Sequence, residues 1–465
     1  MKHLIDELAA LLGPDRVSVE ESVLREHRAD KWFAACIPDV VVFAQSTDDV
    51  SRTLTFAARH RIPVTARGGG VGYVGGCVAL QGGIVLSLVR MNRILEISPA
   101  DGVAVVQPGV ITGDLQREVQ RLGWFFPPDP ASLNECTLGG NVATNAGGPR
   151  CVKYGVTRHY VLGLEVVLAS GEVLRTGSRC HKNRTGFDLV GLFVGSEGML
   201  GVVTEITFRL IPWPPCRRMI SAGFASFEEA AAAVQAVFSG GFLPSVIEIT
   251  DGFTLEAARQ YKGASMVPAG QAHLLVEIDG QEKAVEEDLA ALTQLVRGLG
   301  PVQLDIASTE EACESIWALR RAFSYSLRAT GLIKLNEDIV VPRSRLVDLV
   351  QFCEWLQKES GFPIACFGHA GDGNIHVNIM VAEMDSPEAK VAAEDALDRL
   401  FAKVLGWGGV ISGEHGIGIA KKRWFSQAAS PVSLRVHEAL KQALDPQGIL
   451  NPGKFLDPVS NETRA

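Results

Sequence analysis

His369 and His376 flank the glycine-bearing stretch Ala370-Gly371-Asp372-Gly373-Asn374, which is bounded by the apolar runs Pro363 to Phe367 and Val377 to Val381. Glycine allows a sharp chain reversal, so the segment predicts a hairpin with both imidazoles facing one cavity. A second polar segment, Gly413-Glu414-His415-Gly416, follows the apolar Gly409-Val410-Ile411. Two imidazoles and a carboxylate are the donors of an open, catalytic divalent site, which makes His369, His376 and Glu414 candidate metal ligands. His415 stands beside the carboxylate and is the candidate general base. Asn378, two residues beyond His376, falls on the same strand face, where it either steadies a substrate or satisfies the core. The pattern predicts an enzyme acting on a small oxygen-bearing substrate.

Composition narrows the class. With 465 residues, 47% of them hydrophobic, the chain is long enough for two or three cores. A net charge of −9 without a basic tract argues against a nucleic-acid partner. Leu4, Ile5, Leu8 and Leu11 alternate with Asp6 and Glu7 as in an amphipathic helix, which makes a poor signal peptide. No uninterrupted apolar window approaches the ~18 residues of a membrane span. The nine cysteines are scattered, without a C-x-x-C pair. They fit reduced thiols in a cytoplasmic protein and argue against an iron–sulfur cluster or structural zinc in this chain.

Along the chain, 1–34 predicts a helical start and 35–214 alternates short β-branched runs with glycine clusters. The stiff Ile211-Pro212-Trp213-Pro214-Pro215 marks the first boundary. Residues 215–425 predict helices packed on one antiparallel sheet, and 426–465 a C-terminal segment with a helix at 432–444. The expected class is α+β.

Three glycine-rich segments lie in the first region: Arg67 to Gly76, Leu138 to Gly148 and Gly195 to Gly201. The first contains Gly70-Val71-Gly72-Tyr73-Val74-Gly75, a match to G-x-G-x-x-G. A Rossmann loop must open an amphipathic helix, whereas residues 73–83 lack helical period, so that reading is set aside. Successive glycine amides can instead form an anion-binding concavity without a helix, and three such loops suggest a long ligand with a pyrophosphate at its middle.

Those segments, with Phe126-Pro127-Pro128-Asp129-Pro130, resemble the FAD-binding segments of the vanillyl-alcohol oxidase (PCMH-type) flavoproteins. His369, His376, Glu414-His415 and Asn451-Pro452-Gly453-Lys454 resemble the branch holding the D-lactate dehydrogenases, the glycolate oxidase flavin subunit and D-2-hydroxyglutarate dehydrogenase. The likeness runs over roughly residues 35 to 457. It implies a PCMH-type FAD domain, a cap domain with an antiparallel sheet, and a C-terminal segment that returns to the FAD domain.

By that resemblance Arg67, Gly68, Gly69, Gly70, Val71, Gly72, Gly75 and Gly76 would wrap the pyrophosphate. Pro128, Asp129 and Ser132 would lie near the isoalloxazine, and Gly139, Gly140, Asn141, Thr144 and Asn145 would line the flavin. Gly198, Gly201, the backbone up to Ile206, and Asn451 complete the expected cofactor set. Relatives with covalent flavin use a histidine in the first loop; none stands between Arg67 and Gly76, so noncovalent FAD is expected. The resemblance also implies a divalent ion, zinc being common among relatives, on His369, His376 and Glu414. Arg320 would hold a substrate carboxylate, with Lys334 as a second cation, one residue out of the spacing of D-2-hydroxyglutarate dehydrogenase.

The implied reaction oxidises a small D-2-hydroxy acid, glycolate or D-lactate ahead of D-2-hydroxyglutarate. His415 would take the hydroxyl proton as hydride passes to flavin N5. The electron acceptor would be a quinone, a cytochrome or an iron–sulfur/electron-transfer protein. A homodimer and peripheral attachment at the inner membrane are compatible with it. Two other readings stay open: the flavin subunit of an obligate assembly, and a non-catalytic flavin-binding scaffold.

Overall fold

Short β-branched runs become strands, and polar caps start several of the helices between them. The computed structural model describes residues 2–384 and 386–456, so 457–465 of the expected C-terminal segment lie outside the described residues. It is an α+β protein of two compact units: Met1–Ala146, Val156–Trp213 and Glu414–Ala465 form one, Gly147–Gly155 and Pro214–Gly413 the other.

The first unit holds two principal sheets. In the four-stranded sheet, Val40–Phe43, Ile84–Ser87 and Val64–Arg67 run parallel, with the short Val17–Ser18 antiparallel at one edge. The helix Thr47–His60 starts where Ser46 accepts a hydrogen bond from the Asp49 amide, and it buries Val50, Leu54 and Ala57. Leu8 and Leu12 of the helix Lys2–Leu12 join the same core. A five-stranded antiparallel sheet is ordered Ile94–Ser98, Val103–Val106, Val202–Arg209, Val161–Val167, Val173–Gly177. Ile211–Pro212, expected as linker, instead pairs with Trp124–Phe125. The first glycine segment leads into no helix between residues 68 and 83, as the sequence pattern indicated. The second, read as a loop, contains the helix Leu138–Thr144, because Thr137 caps its start through the Gly140 amide and Asn145 closes it in a left-handed conformation.

The second unit is built on a seven-stranded antiparallel sheet. Its order is Gln303–Ala307, Cys216–Phe224, Ala272–Gly280, Val246–Thr250, Ile364–His369, Asn374–Val381, Ile333–Val340. Phe227–Ser239, Glu282–Gly298 and Leu346–Ser360 are among its helices. Another, Glu310–Ala329, is capped by Thr309. No described helix is long and apolar enough to cross a membrane.

The two histidine-bearing strands are joined by a tight turn that only glycine can make. Gly373 has φ +83°, and a Cβ there would lie 2.0 Å from the Val341 carbonyl oxygen. Gly373→Ala should therefore destabilise the fold by ~1–3 kcal/mol. Thermal or denaturant unfolding measures it; an unchanged midpoint would contradict this account of the turn.

Candidate active site

Strand register assembles one face of the second unit's sheet. His369 pairs opposite Asn374 and Glu248, His376 opposite Phe367 and Asp338, Asn378 opposite Ala365 and Asn336, and Lys334 opposite Met380. Opposed residues share a face and successive ones alternate. Glu248, His369, His376, Asn378 and Lys334 thus project from the same side.

Helix Glu310–Ala329 packs on that side and meets it with Trp317, Arg320 and Ser324, spaced i, i+3, i+7 on one helical stripe. The Trp317 indole N–H donates to Glu277 at 2.8 Å. Arg320 donates through Nε to Glu248 Oε2 at 2.5 Å, and its Nη2 pairs with the same oxygen. Lys334 Nζ donates to Ser324 Oγ at 3.1 Å. Burial, with Arg328 adding to it, pushes the Lys334 ammonium down to about 8.

His369 Nδ1 hydrogen-bonds Glu248 Oε1. Burial works to raise the Glu248 pKa, but Arg320 and His369 outweigh it and hold the carboxyl at about 2. An ionised carboxylate only accepts, so Nδ1 carries a proton, which leaves Nε2 as the ring atom able to bind a cation. The His376 ring lies nearly perpendicular to that of His369, at 5.4 Å between centroids. Asn378 Nδ2 donates to the carbonyls of Ala365 and His376, at 2.9 and 3.1 Å. The buried Oδ1 atoms of Asn378 and its opposite number Asn336 have no hydrogen-bond partner, a cost that a donor on a ligand would remove.

Asp338 fixes the approach to Glu414. Its Oδ1 accepts from Asn374 Nδ2 at 2.7 Å, and its Oδ2 from Ser412 Oγ and the Gly413 amide at 2.8 and 2.9 Å. Glu414 is the residue bonded directly to Gly413. One ligand atom from each of His369, His376 and Glu414 lies within 4.8 Å of the others. Donors around one zinc at about 2.0–2.1 Å stand at most about 4.2 Å apart, so small side-chain rotations would close a shell. These side chains fit a divalent cation.

The base candidate and the cofactor segments are residues of the first unit. The His415 ring lies 5.3 Å from that of Tyr73, in the first glycine segment. The residues after His415 are tied to the glycine segments through their amides. Glu197 accepts from Ile417 and Gly418 at 2.7 and 2.8 Å, and the Val74 carbonyl accepts from Ile419 and Ala420 at 2.8 and 3.1 Å.

Within the first segment Gly68 and Gly69 press on the chain at Glu135 and Thr137, where a Cβ would meet Thr137 Oγ1 at 2.2 Å and the Glu135 carbonyl at 2.5 Å. Arg67 donates to the Ala29 carbonyl at 2.8 Å and lies beside Gly70. Val71, Gly72, Gly75 and Gly76 continue the same helix-free loop. The Pro128 carbonyl is held by Gln116 Nε2 at 2.8 Å, Asp129 is buried, and the Ser132 carbonyl accepts from the Cys136 amide. Gly139 and Gly140 open the short helix. Asn141 donates to Thr112 Oγ1, Thr144 to the Gly140 carbonyl, and Asn145 accepts from the Arg158 amide. Gly201 packs on Val166, and the Ile206 side chain is wholly in the core, so Ile206 can meet a ligand only through its backbone.

Asn451 ties the first and third segments together, donating to the carbonyls of Gly76 at 2.9 Å and Glu197 at 2.7 Å. Its Oδ1 is buried without a hydrogen-bond partner. Glycine loops fastened side by side, with an orphaned buried acceptor among them, fit a dinucleotide cofactor.

Residues 38–177 match the family described as FAD binding domain, and residues 213–455 the family of FAD linked oxidases, C-terminal domain. The chain belongs to the FAD-linked oxidases. It is 38% identical to the glycolate oxidase subunit GlcD of Bacillus subtilis (strain 168), over 98% of this chain and 97% of that protein. It is 34% identical to the D-lactate dehydrogenase of Anaerostipes hadrus, over 96% and 95%. The solved structure of p-cresol methylhydroxylase with substrate bound superposes with a TM-score of 0.82 at 21% identity, covering 98% of this chain and 97% of that one, which supports the PCMH-type fold.

Sequence reasoning did not find Glu248, Ser324, Asp338, Asn336 or Glu197. Only Glu248 had a readable signal, a lone acid inside the apolar Val246-Ile247-Glu248-Ile249. Asn451→Ala strands two carbonyls that face the cofactor loops, at ~1–3 kcal/mol. FAD affinity should fall about tenfold or more, read as flavin lost on gel filtration; full retention would argue against Asn451 as the tie.

Proposed function

We propose that this FAD-linked oxidase converts a small D-2-hydroxy acid, glycolate or D-lactate first, to the 2-oxo acid. It would use noncovalent FAD and a divalent ion, zinc first, held by His369, His376 and Glu414. The observation that carries the reading is the convergence of those three donors within 4.8 Å, in a chain of this family. The names of the similar proteins, a glycolate oxidase subunit and a D-lactate dehydrogenase, support the substrate class.

Bound FAD supplies the two-electron acceptor, and a bound divalent ion supplies Lewis acidity toward the substrate hydroxyl. The chain's own groups do the rest. His415 takes the hydroxyl proton. Asn378 offers Oδ1 as an acceptor on the His376 face. Arg320 and Lys334 attract the carboxylate, Arg320 through Nη1 because Glu248 engages its other edge. Electrons would leave to a quinone, a cytochrome or an iron–sulfur/electron-transfer partner. The printed word "subunit" in the name of the similar GlcD protein favours a second reading, in which this chain is the flavin subunit of an assembly. D-2-hydroxyglutarate remains the alternative substrate.

The decisive experiment is anaerobic bleaching of the bound flavin by glycolate, D-lactate, L-lactate and D-2-hydroxyglutarate. Glycolate or D-lactate should reduce it fastest, and a flavin bleached by none of the four overturns the proposal. His415→Ala should keep FAD bound and slow reduction by ~10²–10⁴-fold; near-normal reduction excludes it as the base.

Lys334 adds a pH signature. Its ammonium is charged below about 8 and neutral above. KM for the hydroxy acid should therefore rise as pH climbs through about 8, and Lys334→Met should show a raised KM without that rise. A pH-independent KM in the parent enzyme would remove Lys334 from carboxylate binding.

A further inference from the structure

We infer that Glu248 is the positioning residue of the candidate metal centre: a single buried carboxylate orients His369 as a ligand and locks Arg320 to the same face. The inference rests on the metal reading proposed above and deepens it.

Three observations carry it. Glu248 is only 1% exposed, in the middle of an apolar strand, where a carboxylate is costly unless every lone pair is used. Its two oxygens are divided: Oε1 takes His369 Nδ1, and Oε2 takes Arg320 Nε and Nη2. Glu248 also stands directly opposite His369 in the sheet, so the contact is built by backbone register rather than by a flexible loop.

The chemistry follows from those contacts. A neutral imidazole binds a cation through only one nitrogen, and which one depends on where the proton sits. A carboxylate on Nδ1 places the proton there, orients the ring and makes Nε2 a better donor. Arg320 holds the other oxygen and stops the carboxylate from swinging to the cation itself. An acid that served only to neutralise Arg320 would have no need of the second contact. One that served only His369 would leave Arg320 mobile. The shared carboxylate instead links ligand orientation to the placement of the arginine proposed for the substrate.

The test uses the full-length FAD-loaded protein, stripped of metal and titrated with Co²⁺ against a chromophoric chelator. Glu248→Gln keeps the shape and removes the charge, and should weaken Co²⁺ binding by ~10–100-fold at unchanged flavin content. A purely structural role predicts a lowered melting temperature with unchanged Co²⁺ affinity, and equal affinity overturns the inference while leaving the metal reading intact. A parent protein that takes up no Co²⁺ overturns both.

Should the variant fail to fold, the Co²⁺-loaded parent protein decides. A hyperfine-shifted imidazole N–H that exchanges slowly with D₂O is the expected signature of Nδ1–H held by a buried carboxylate. Its absence overturns the role of Glu248.

Discussion

The antiparallel register between Ile364–His369 and Asn374–Val381 is the constraint on which the second unit's chemistry depends. With His376 opposite Phe367 and His369 opposite Asn374, both imidazoles share a face with Glu248 and Lys334. A slip of one residue would send one strand's side chains to the other side. The register is secured at the turn by Gly373 and along the strands by apolar neighbours, Ala365 and Phe367 packing with Leu327 and Met380. Helix Glu310–Ala329 adds a second lock, since its polar stripe fits these strands only in that alignment.

The first unit solves a different problem. Glycine segments are pliable, and a cofactor cradle built from them must be held by something outside them. Here the carbonyls of Gly76 and Glu197 are joined by one amide, that of Asn451, while the Glu197 carboxylate and the Val74 carbonyl hold the amides that follow His415. The base candidate is thereby carried on the same scaffold as the flavin loops.

Much of this was legible in the amino-acid order because the chemistry uses rare residues in fixed spacing. His369, His376 and Glu414 stood out among glycines, and helices on one antiparallel sheet were expected over 215–425. The helix at Leu138–Thr144 did not, since glycine is a poor helix former and only the Thr137 cap and the packing of Gly139 on Pro108 overcome that tendency. Ser324 and Asp338 were hidden for another reason. The partners of Asp338 lie 36 to 75 residues away in sequence, and nothing local distinguishes a serine that meets Lys334 from one that meets water. Arg320 was found, but its engagement with Glu248 depends on a strand some seventy residues earlier.

The Asn451 tie spans 375 residues from Gly76, and Lys454 reaches Val78 across 376. Such contacts cannot form before residues 451–454 have been made. Residues 214–413, by contrast, form almost the whole of the second unit and emerge as an unbroken stretch. During synthesis that unit can gather its seven strands first, while the earlier glycine segments wait unjoined for the tail. A chain broken off before Asn451 would thus keep the sheet encoded by residues 214–413 and lose the amide that joins the carbonyls of Gly76 and Glu197.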